Sequence, residues 1–507
     1  MTGNGNLNSL ADFAPHVNSR LRKRAGRAEK LQLSGTIKQW LTSRGRLIRD
    51  TDGNRPYLLD DDGSAIPLDV DGLALQTALA RAGFNPSESA FQWLLADLRT
   101  GAFDAGTPVK LARWAQSGKG YLRVSCGGNR MVFATAGGAP LLLENGDCGC
   151  VFAADASIPA WQPTTAMHPV RVAALNPPLT APDEVPEYTP DVQRALLYAW
   201  LAGLVAGMRP LPILAALGGR GSGKSWLARG IAKLLMGGEG DVTPLSDDPR
   251  DFQTLTIRRP LVGLDNVDDA TKAAAWLPDA LATAATGGRW QGRQFHTRAD
   301  VFDAPLQAAI IITSRTATFA RADVAERTLP LFCESLSDAA RVADSALLEE
   351  LLDGRSALLT HLAQQAADMQ GIIDRAPSGL PVRFLDFGRL VWAYYAIHGD
   401  GSGAVPALMA WRKAASASVG DANPLLAAII EFGPKLLDAN PAALTGKTPK
   451  ELIDLLTLNG ADLPYYGGGK AIANELRELK AVLSLTGWTL REGKSGNATV
   501  FDLVQKP

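Results

Sequence analysis

The stretch Gly218-Gly219-Arg220-Gly221-Ser222-Gly223-Lys224-Ser225 constrains the fold of this chain more than any other. It fits G-x-x-x-x-G-K-[ST] at every fixed position, directly after the apolar run Pro212–Leu217 and directly before a helical pattern over Ser225–Leu235. Glycines let backbone N–H groups curl around phosphate oxygens where a side chain would intrude. In such a loop Gly219, Arg220, Gly221, Ser222 and Gly223 form the cradle and Lys224 reaches the β and γ phosphates. Ser225 binds Mg²⁺, and the helix N-terminus adds a favourable dipole. ATP and Mg²⁺ are therefore the implied ligands. The alternative, a flexible glycine-rich linker, leaves the strand before it and the helix after it unexplained.

A phosphate loop of this kind needs an acid at the end of a buried strand to hold the metal. Leu261-Val262-Gly263-Leu264-Asp265 supplies it, so Asp265 joins Ser225 on the metal side. The next residue is Asn266, where many ATPases carry a glutamate as catalytic base. An amide orients a water but cannot take its proton. Asp268 or Asp269 serves instead, or hydrolysis is slow; the spacing leaves this open. A third apolar run, Ala308–Thr313, leads into Ser314, placed to position the lytic water or read the γ-phosphate. A hydroxyl that merely caps the strand end is the other reading. Arg327 follows Ala322-Asp323-Val324-Ala325-Glu326, just before the apolar run Leu329–Phe332. An arginine exported there reaches a neighbouring subunit's nucleotide and stabilises charge in the transition state. The competing reading is a salt bridge to Asp323 or Glu326, and Arg321 is the second candidate for the exported role. Between the second and third apolar runs, Arg289–Phe302 predicts a β-hairpin turning at Thr297–Asp300. Arg293, His296 and Arg298 on it would grip phosphates, unless the hairpin is a plain surface feature.

A chain of 507 residues is too long for one ordinary domain, and about three or four units of 100–200 residues is the expectation. Short strands broken by Gly127-Gly128-Asn129 and Gly137-Gly138 predict an α+β accessory domain with an antiparallel sheet over 1–160. Prolines crowd 161–190, which reads as a linker. Strands alternating with helices over 191–335 predict a parallel sheet covered on both faces. Helical periodicity runs on through 336–432. Over 433–507 two helices precede a two-stranded pattern around Gly493-Lys494-Ser495-Gly496, similar to a winged-helix domain, whose second helix enters the duplex major groove. A winged helix used for protein contact is the alternative. The formal net charge of −1 advertises no polyanionic partner, so nucleic-acid binding has to come from local patches. One is the basic run between Arg20 and Arg49, helix-like, which serves either a nucleic-acid backbone or as a solvated face. Four cysteines are too few for a disulfide framework, and the lone Cys148-x-Cys150 lacks the partners of a zinc site. With no apolar signal core and no apolar run of bilayer length, the expectation is a cytoplasmic protein with no membrane partner.

The order of phosphate loop, acidic strand, hairpin, Ser314 and Arg327 resembles that of AAA+ ATPases. It is similar above all to superfamily III helicases and the replicative helicases of phages, plasmids and integrative elements. The resemblance is specific over about residues 190–335. It implies an α/β, multidomain chain: an AAA+ core with an N-terminal α+β accessory domain, a helical lid region and a C-terminal winged helix. It also implies a homo-oligomer, a hexameric ring around single-stranded DNA, with Arg327 acting across the subunit interface and His296 and Arg298 tracking DNA. The function so implied is an ATP-dependent DNA helicase or translocase for a mobile element. A DNA-binding ATP switch that assembles without unwinding is the alternative, favoured by Asn266 and opposed by the hairpin. A small-molecule kinase would not explain Arg327 or the C-terminal segment.

Overall fold

The computed structural model describes residues 26–51, 55–68, 73–81, 85, 88–153, 158–246, 248–268, 276–293, 301–306, 308–316, 321–496 and 498–505. They form two compact units. The first takes the described residues within 1–116, 122–134 and 140–163, the second those within 117–121, 135–139 and 164–507.

The first unit runs α1 (Arg27–Ser43), β1 (Gly45–Asp50), β2 (Pro56–Asp60), β3 (Ala65–Pro67), α2 (Leu73–Arg81) and α3 (Ser89–Ala105). The chain continues with β4 (Thr107–Val109), β5 (Leu111–Ala112), β6 (Ala115–Gly118), β7 (Tyr121–Ser125), β8 (Arg130–Thr135), β9 (Leu141–Glu144) and β10 (Val151–Phe152). Strands order as β3-β2-β1-β4 in one sheet and β6-β7-β8-β9 in a second, while β5 pairs with β10. The expected antiparallel pairing holds for β1 with β2 and for β8 with β9; β1 with β4 is parallel. Helix α3 is absent from the sequence reading, although Phe91, Leu94, Leu95, Leu98 and Ala102 recur at helical spacing and are all buried. They pack with Leu33 and Ile37 of α1 in one core. The basic run is not one helix. At Gly45 a Cβ would lie 2.6 Å from the Leu59 carbonyl oxygen, and the chain crosses there into β1. Lys38 pairs with Asp97 at 3.3 Å and Arg46 donates to the Gly146 carbonyl at 3.0 Å, so part of that charge is already engaged.

The second unit is built on α4 (Pro190–Val205), β11 (Ile213–Leu217), α5 (Lys224–Met236), α6 (Pro249–Arg258), β12 (Leu261–Leu264) and α7 (Leu277–Ala285). Next come the hairpin β13 (Arg289–Arg293) and β14 (Val301–Pro305), then β15 (Ala309–Ser314), the short α8 (Ala322–Ala325) and β16 (Thr328–Phe332). Four strands make a parallel sheet in the order β12-β15-β11-β16. Every residue of β11, β12 and β15 is buried, which explains why these strands read as unbroken apolar runs. Thr243 bridges Leu264 in parallel beyond β12, at that edge of the sheet. The stretch 161–190 is no free linker in its second half. Leu179 forms an antiparallel bridge with Cys333, Thr180 donates to the Phe332 carbonyl at 2.9 Å, and Tyr188 donates to that of Pro330 at 2.8 Å. Proline bars α-helix and central strand there, leaving short 3-10 turns at Pro169–Arg171 and Ala173–Leu175, but the apolar residues between prolines still bury: Val172, Leu175 and Tyr188 are fully enclosed.

Helices α9 (Asp344–Asp353), α10 (Arg355–Ile372), α11 (Leu385–Ile397), α12 (Ala404–Ala422) and α13 (Pro424–Ala439) follow, then α14 (Pro449–Leu458), α15 (Gly469–Leu485) and the antiparallel pair β17 (Trp488–Ser495) and β18 (Ala498–Gln505). The expected boundary at 432/433 falls inside α13. Leu425, Leu426, Ile429 and Leu436 of that helix belong to one core with α14, α15, β17 and β18. Among the described residues no helix is long and apolar enough to cross a membrane.

Three histidines meet in the helical part of this unit. The His168 ring lies 4.8 Å from those of Tyr198 and His361, and His398 lies 4.6 Å from Tyr394 with its Nε2 3.2 Å from Gln365 Nε2. Burial, then the charges of His168 and His398, push His361 down to about 4. Burial lowers His168 and His398 as well, with the charges of His398 and then Arg171 adding to the shift at His168. A histidine lowered on folding takes its proton first in the unfolded chain, so stability is full above the ordinary pKa and falls as pH drops from about 6.5 toward 4. We expect a loss on the order of 2 kcal/mol across that window after allowance for solvent screening. His361→Gln should flatten the slope in urea unfolding measured from pH 7 to 4.5.

Candidate nucleotide site

The loop after β11 is shaped by close approaches. The Gly218 N–H donates to the Ser314 carbonyl at 3.2 Å, and a Cβ at Gly218 would sit 2.3 Å from the Cys333 carbonyl oxygen. Gly223, the residue before α5, has φ +78°, which admits glycine without strain. Lys224 is buried and donates through Nζ to the Gly219 carbonyl at 3.1 Å, so its ammonium curls back over the loop. The Ser222 hydroxyl is enclosed in the same loop without a hydrogen-bond partner among the described residues.

Three strand ends converge beside it. Ser225 donates to Asp265 Oδ1 at 2.8 Å, and Thr313 donates to the same oxygen. Asn266 donates its backbone N–H to the Thr313 hydroxyl at 3.0 Å and adopts φ +56°, a left-handed conformation that asparagine tolerates better than most residues. Thr313 is thus a functional candidate that the sequence reading passed over in favour of Ser314. The available signal was its position as the last residue of the apolar run. Ser225 and Asp265 offer a hydroxyl and a carboxylate together at a helix N-terminus. These hard oxygen donors suit Mg²⁺, which takes few protein ligands and keeps water and phosphate as the rest.

Ser314 faces a different carboxylate. Its hydroxyl donates to Asp268 Oδ1 at 2.6 Å, the Arg315 backbone N–H donates to the same oxygen, and Arg315 Nε donates to Oδ2 at 2.7 Å. Burial pushes the Asp268 carboxyl up, but these hydrogen bonds and the guanidinium charge outweigh it and hold the group below the usual carboxylate range.

Arg327 is turned inward. Its Nη1 donates to the Asp323 carbonyl at 3.0 Å and to Asp323 Oδ2 at 3.1 Å, and its side chain is 12% exposed. That is the intradomain ion pair of the competing sequence reading. Arg321, 42% exposed, makes a two-pronged contact with Asp323 at 3.0 Å on each oxygen and also reaches Asp279. Asp323 sits below its ordinary range: burial opposes the shift, and Arg321 and then Arg327 overcome it. The predicted hairpin is present as β13 and β14, paired from Arg289 with Pro305 to Arg293 with Val301. Arg293 is the last residue of β13, whereas His296 and Arg298 lie outside the described residues.

Residues 185–421 match the family of actinomycete integrative conjugative element replication proteins. The matched span takes in the loop Gly218–Ser225, Asp265, Asp268, the hairpin, Arg315, Arg321 and Arg327. Among solved structures, the chain is similar to the apo structure of the NrS-1 C-terminal region, at 14% identity and a TM-score of 0.44 over 92% of this chain and 98% of that one. An A form of the same region aligns at 12% identity with a TM-score of 0.39, over 92% and 98%. No curated protein matches the chain.

Proposed function

We propose that this chain is an ATP-driven replication motor of a mobile genetic element, an AAA+ type ATPase that assembles as a ring and translocates on DNA. The observation that carries the proposal is the convergence of Ser225, Asp265 and Thr313 beside the loop Gly218–Ser225, at the ends of three parallel strands. The strand order supports it, because the phosphate-loop strand β11 lies between β15 and β16 and is separated by β15 from the acid-bearing β12. Similarity to replication proteins of integrative elements supports the biological setting.

On this reading Lys224 leaves the Gly219 carbonyl for the β and γ phosphates. Ser225 and Asp265 would hold Mg²⁺, which neutralises phosphate charge. Ser314 fixes the carboxylate beside the lytic water, and Asn266 orients that water. Arg321, more exposed than Arg327, is the better placed arginine for a neighbouring subunit's nucleotide, with Arg327 bracing Asp323 behind it. Arg293 and the hairpin tip would meet single-stranded DNA, and α15 with the β17–β18 pair would meet duplex. One observation favours the second reading, an ATP switch that assembles on DNA without unwinding: the residue after the metal-side acid is an amide.

The test is steady-state phosphate release with and without single-stranded DNA, alongside oligomer mass with ATP. The motor reading predicts a hexamer and turnover stimulated at least about tenfold by DNA. Arg321→Ala should lose about 10³-fold in turnover, the scale of an arginine acting in trans, while keeping nucleotide binding. Turnover indifferent to DNA in a protein that still binds ATP would sink the motor reading in favour of the switch.

A further inference from the structure

Two carboxylates stand beside the phosphate loop, and their surroundings differ in kind. Asp265 is held by neutral hydroxyls, from Ser225 and Thr313, on one oxygen. Asp268 is held on both oxygens, by the Ser314 hydroxyl and the Arg315 backbone on one and the Arg315 guanidinium on the other. The Asp268 side chain is 16% exposed, whereas that of Arg315 is 65% exposed. The cation thus lies outside, over a largely enclosed acid. Arg315 also follows directly on Ser314, whose carbonyl accepts the N–H of Gly218, the first residue of the phosphate loop. An arginine whose side chain is 65% exposed, one residue beyond the strand end that accepts from the phosphate loop, offers its guanidinium to a γ-phosphate, a stronger partner than one carboxylate.

Resting on the nucleotide-site reading, we propose that Asp268 and Arg315 form a γ-phosphate-responsive latch: ATP draws Arg315 off Asp268, and the released carboxylate accepts the proton of the lytic water. In the step so assigned, the water oxygen bonds to the γ-phosphorus as the bond to the β–γ bridging oxygen breaks, and that electron pair leaves with ADP. The water's proton passes to Asp268, and from there to solvent when Arg315 returns. Ser314, still bonded to Asp268, keeps the carboxylate oriented while the guanidinium is away. ADP has no γ-phosphate to hold Arg315, so the acid is covered again after each turnover. The latch resolves the difficulty of Asn266: the amide orients the water, and an acid two residues further on carries the base chemistry.

The latch makes opposite predictions for binding and for turnover, which a merely structural pair would not. In Asp268→Asn the ion pair that holds the guanidinium over the acid is lost, so ATPγS should bind about 3–10-fold tighter with ADP affinity unchanged, while ATP turnover falls at least about 100-fold. In Arg315→Ala, a change at a side chain that is 65% exposed, ATPγS should bind about tenfold more weakly, again with ADP unchanged. In the double variant the tightening should vanish. Calorimetric titration of the full chain with ATPγS and ADP, paired with phosphate release, reads all of these. If Asp268→Asn hydrolyses ATP at the wild-type rate, or if either variant changes ATPγS and ADP affinity equally, the latch is overturned while the nucleotide site stands. If the unaltered chain shows no Lys224-dependent ATP binding, both fall together.

Discussion

Lys224→Ala is expected to reduce ATP turnover by about 10²–10³-fold, the scale on which a preorganised charge at a reacting phosphate acts. The argument begins with burial. Lys224 is enclosed at the start of α5, its ammonium resting on the Gly219 carbonyl. A cation so placed is already desolvated and aimed along the loop, so little rearrangement separates its resting contact from a phosphate oxygen. Its field is felt close by: burial pushes the Cys333 thiol up to about 12, and the Lys224 charge is the influence acting against that rise. Alanine removes the charge but leaves the glycine-shaped loop and the Ser225–Asp265 contact. Folding should therefore change little, with a melting temperature within about 3 °C of the parent, since the deleted hydrogen bond is worth roughly 1 kcal/mol. Phosphate release measured beside thermal unfolding separates the two effects. Turnover within tenfold of the parent would mean that this loop is not where ATP reacts.

The parts of the site visible in the sequence are those fixed by local pattern. A buried parallel strand shows as a short apolar run, so β11, β12 and β15 could be read directly, and with them the loop and Asp265 at their ends. The C-terminal pairing of Trp488–Ser495 with Ala498–Gln505 was legible as two strands about a turn, although Gly493, Lys494 and Ser495, read as part of the turn, belong to β17. What escaped was what depends on which way a side chain turns. Thr313 and Ser314 are adjacent, and only the structure assigns the first to Asp265 and the second to Asp268. Arg327 and Arg321 flank the same short helix, yet one is turned in and the other out. Helix α3 escaped for a plainer reason: no side-chain cap marks its start at Glu88, and the stop signal of Gly106 with Pro108 was passed over. The packing of 178–188 against β16 escaped because proline content predicts what a segment cannot form, not what it rests on.

The second large effect is on stability. Trp488→Ala should cost about 3–5 kcal/mol, because it deletes one of the largest fully buried side chains and leaves a cavity that its neighbours cannot fill. The indole lies against the backbone of α13 where only glycine fits: a Cβ at Gly433 would stand 2.6 Å from the ring. In the same core are Leu476, Leu479 and Leu483 of α15 and Phe501 and Leu503 of β18. The same core includes Ala322 and Ala325 of α8, the short helix whose Asp323 is clasped by Arg321 and Arg327. A helix of four residues has no stability of its own, so its position is borrowed from that packing. Loosening the core at Trp488 should therefore raise amide exchange in α15 and β18 first and in α8 with them. Turnover should then fall through Arg321 while ATP binding at Lys224 persists. Exchange measured by mass spectrometry over 321–327 and 469–505, with ATPγS titration on the same sample, checks both halves. If α15 loses protection and 321–327 does not, α8 is held by β16 and α12 instead, and the C-terminal core does not reach the site through it.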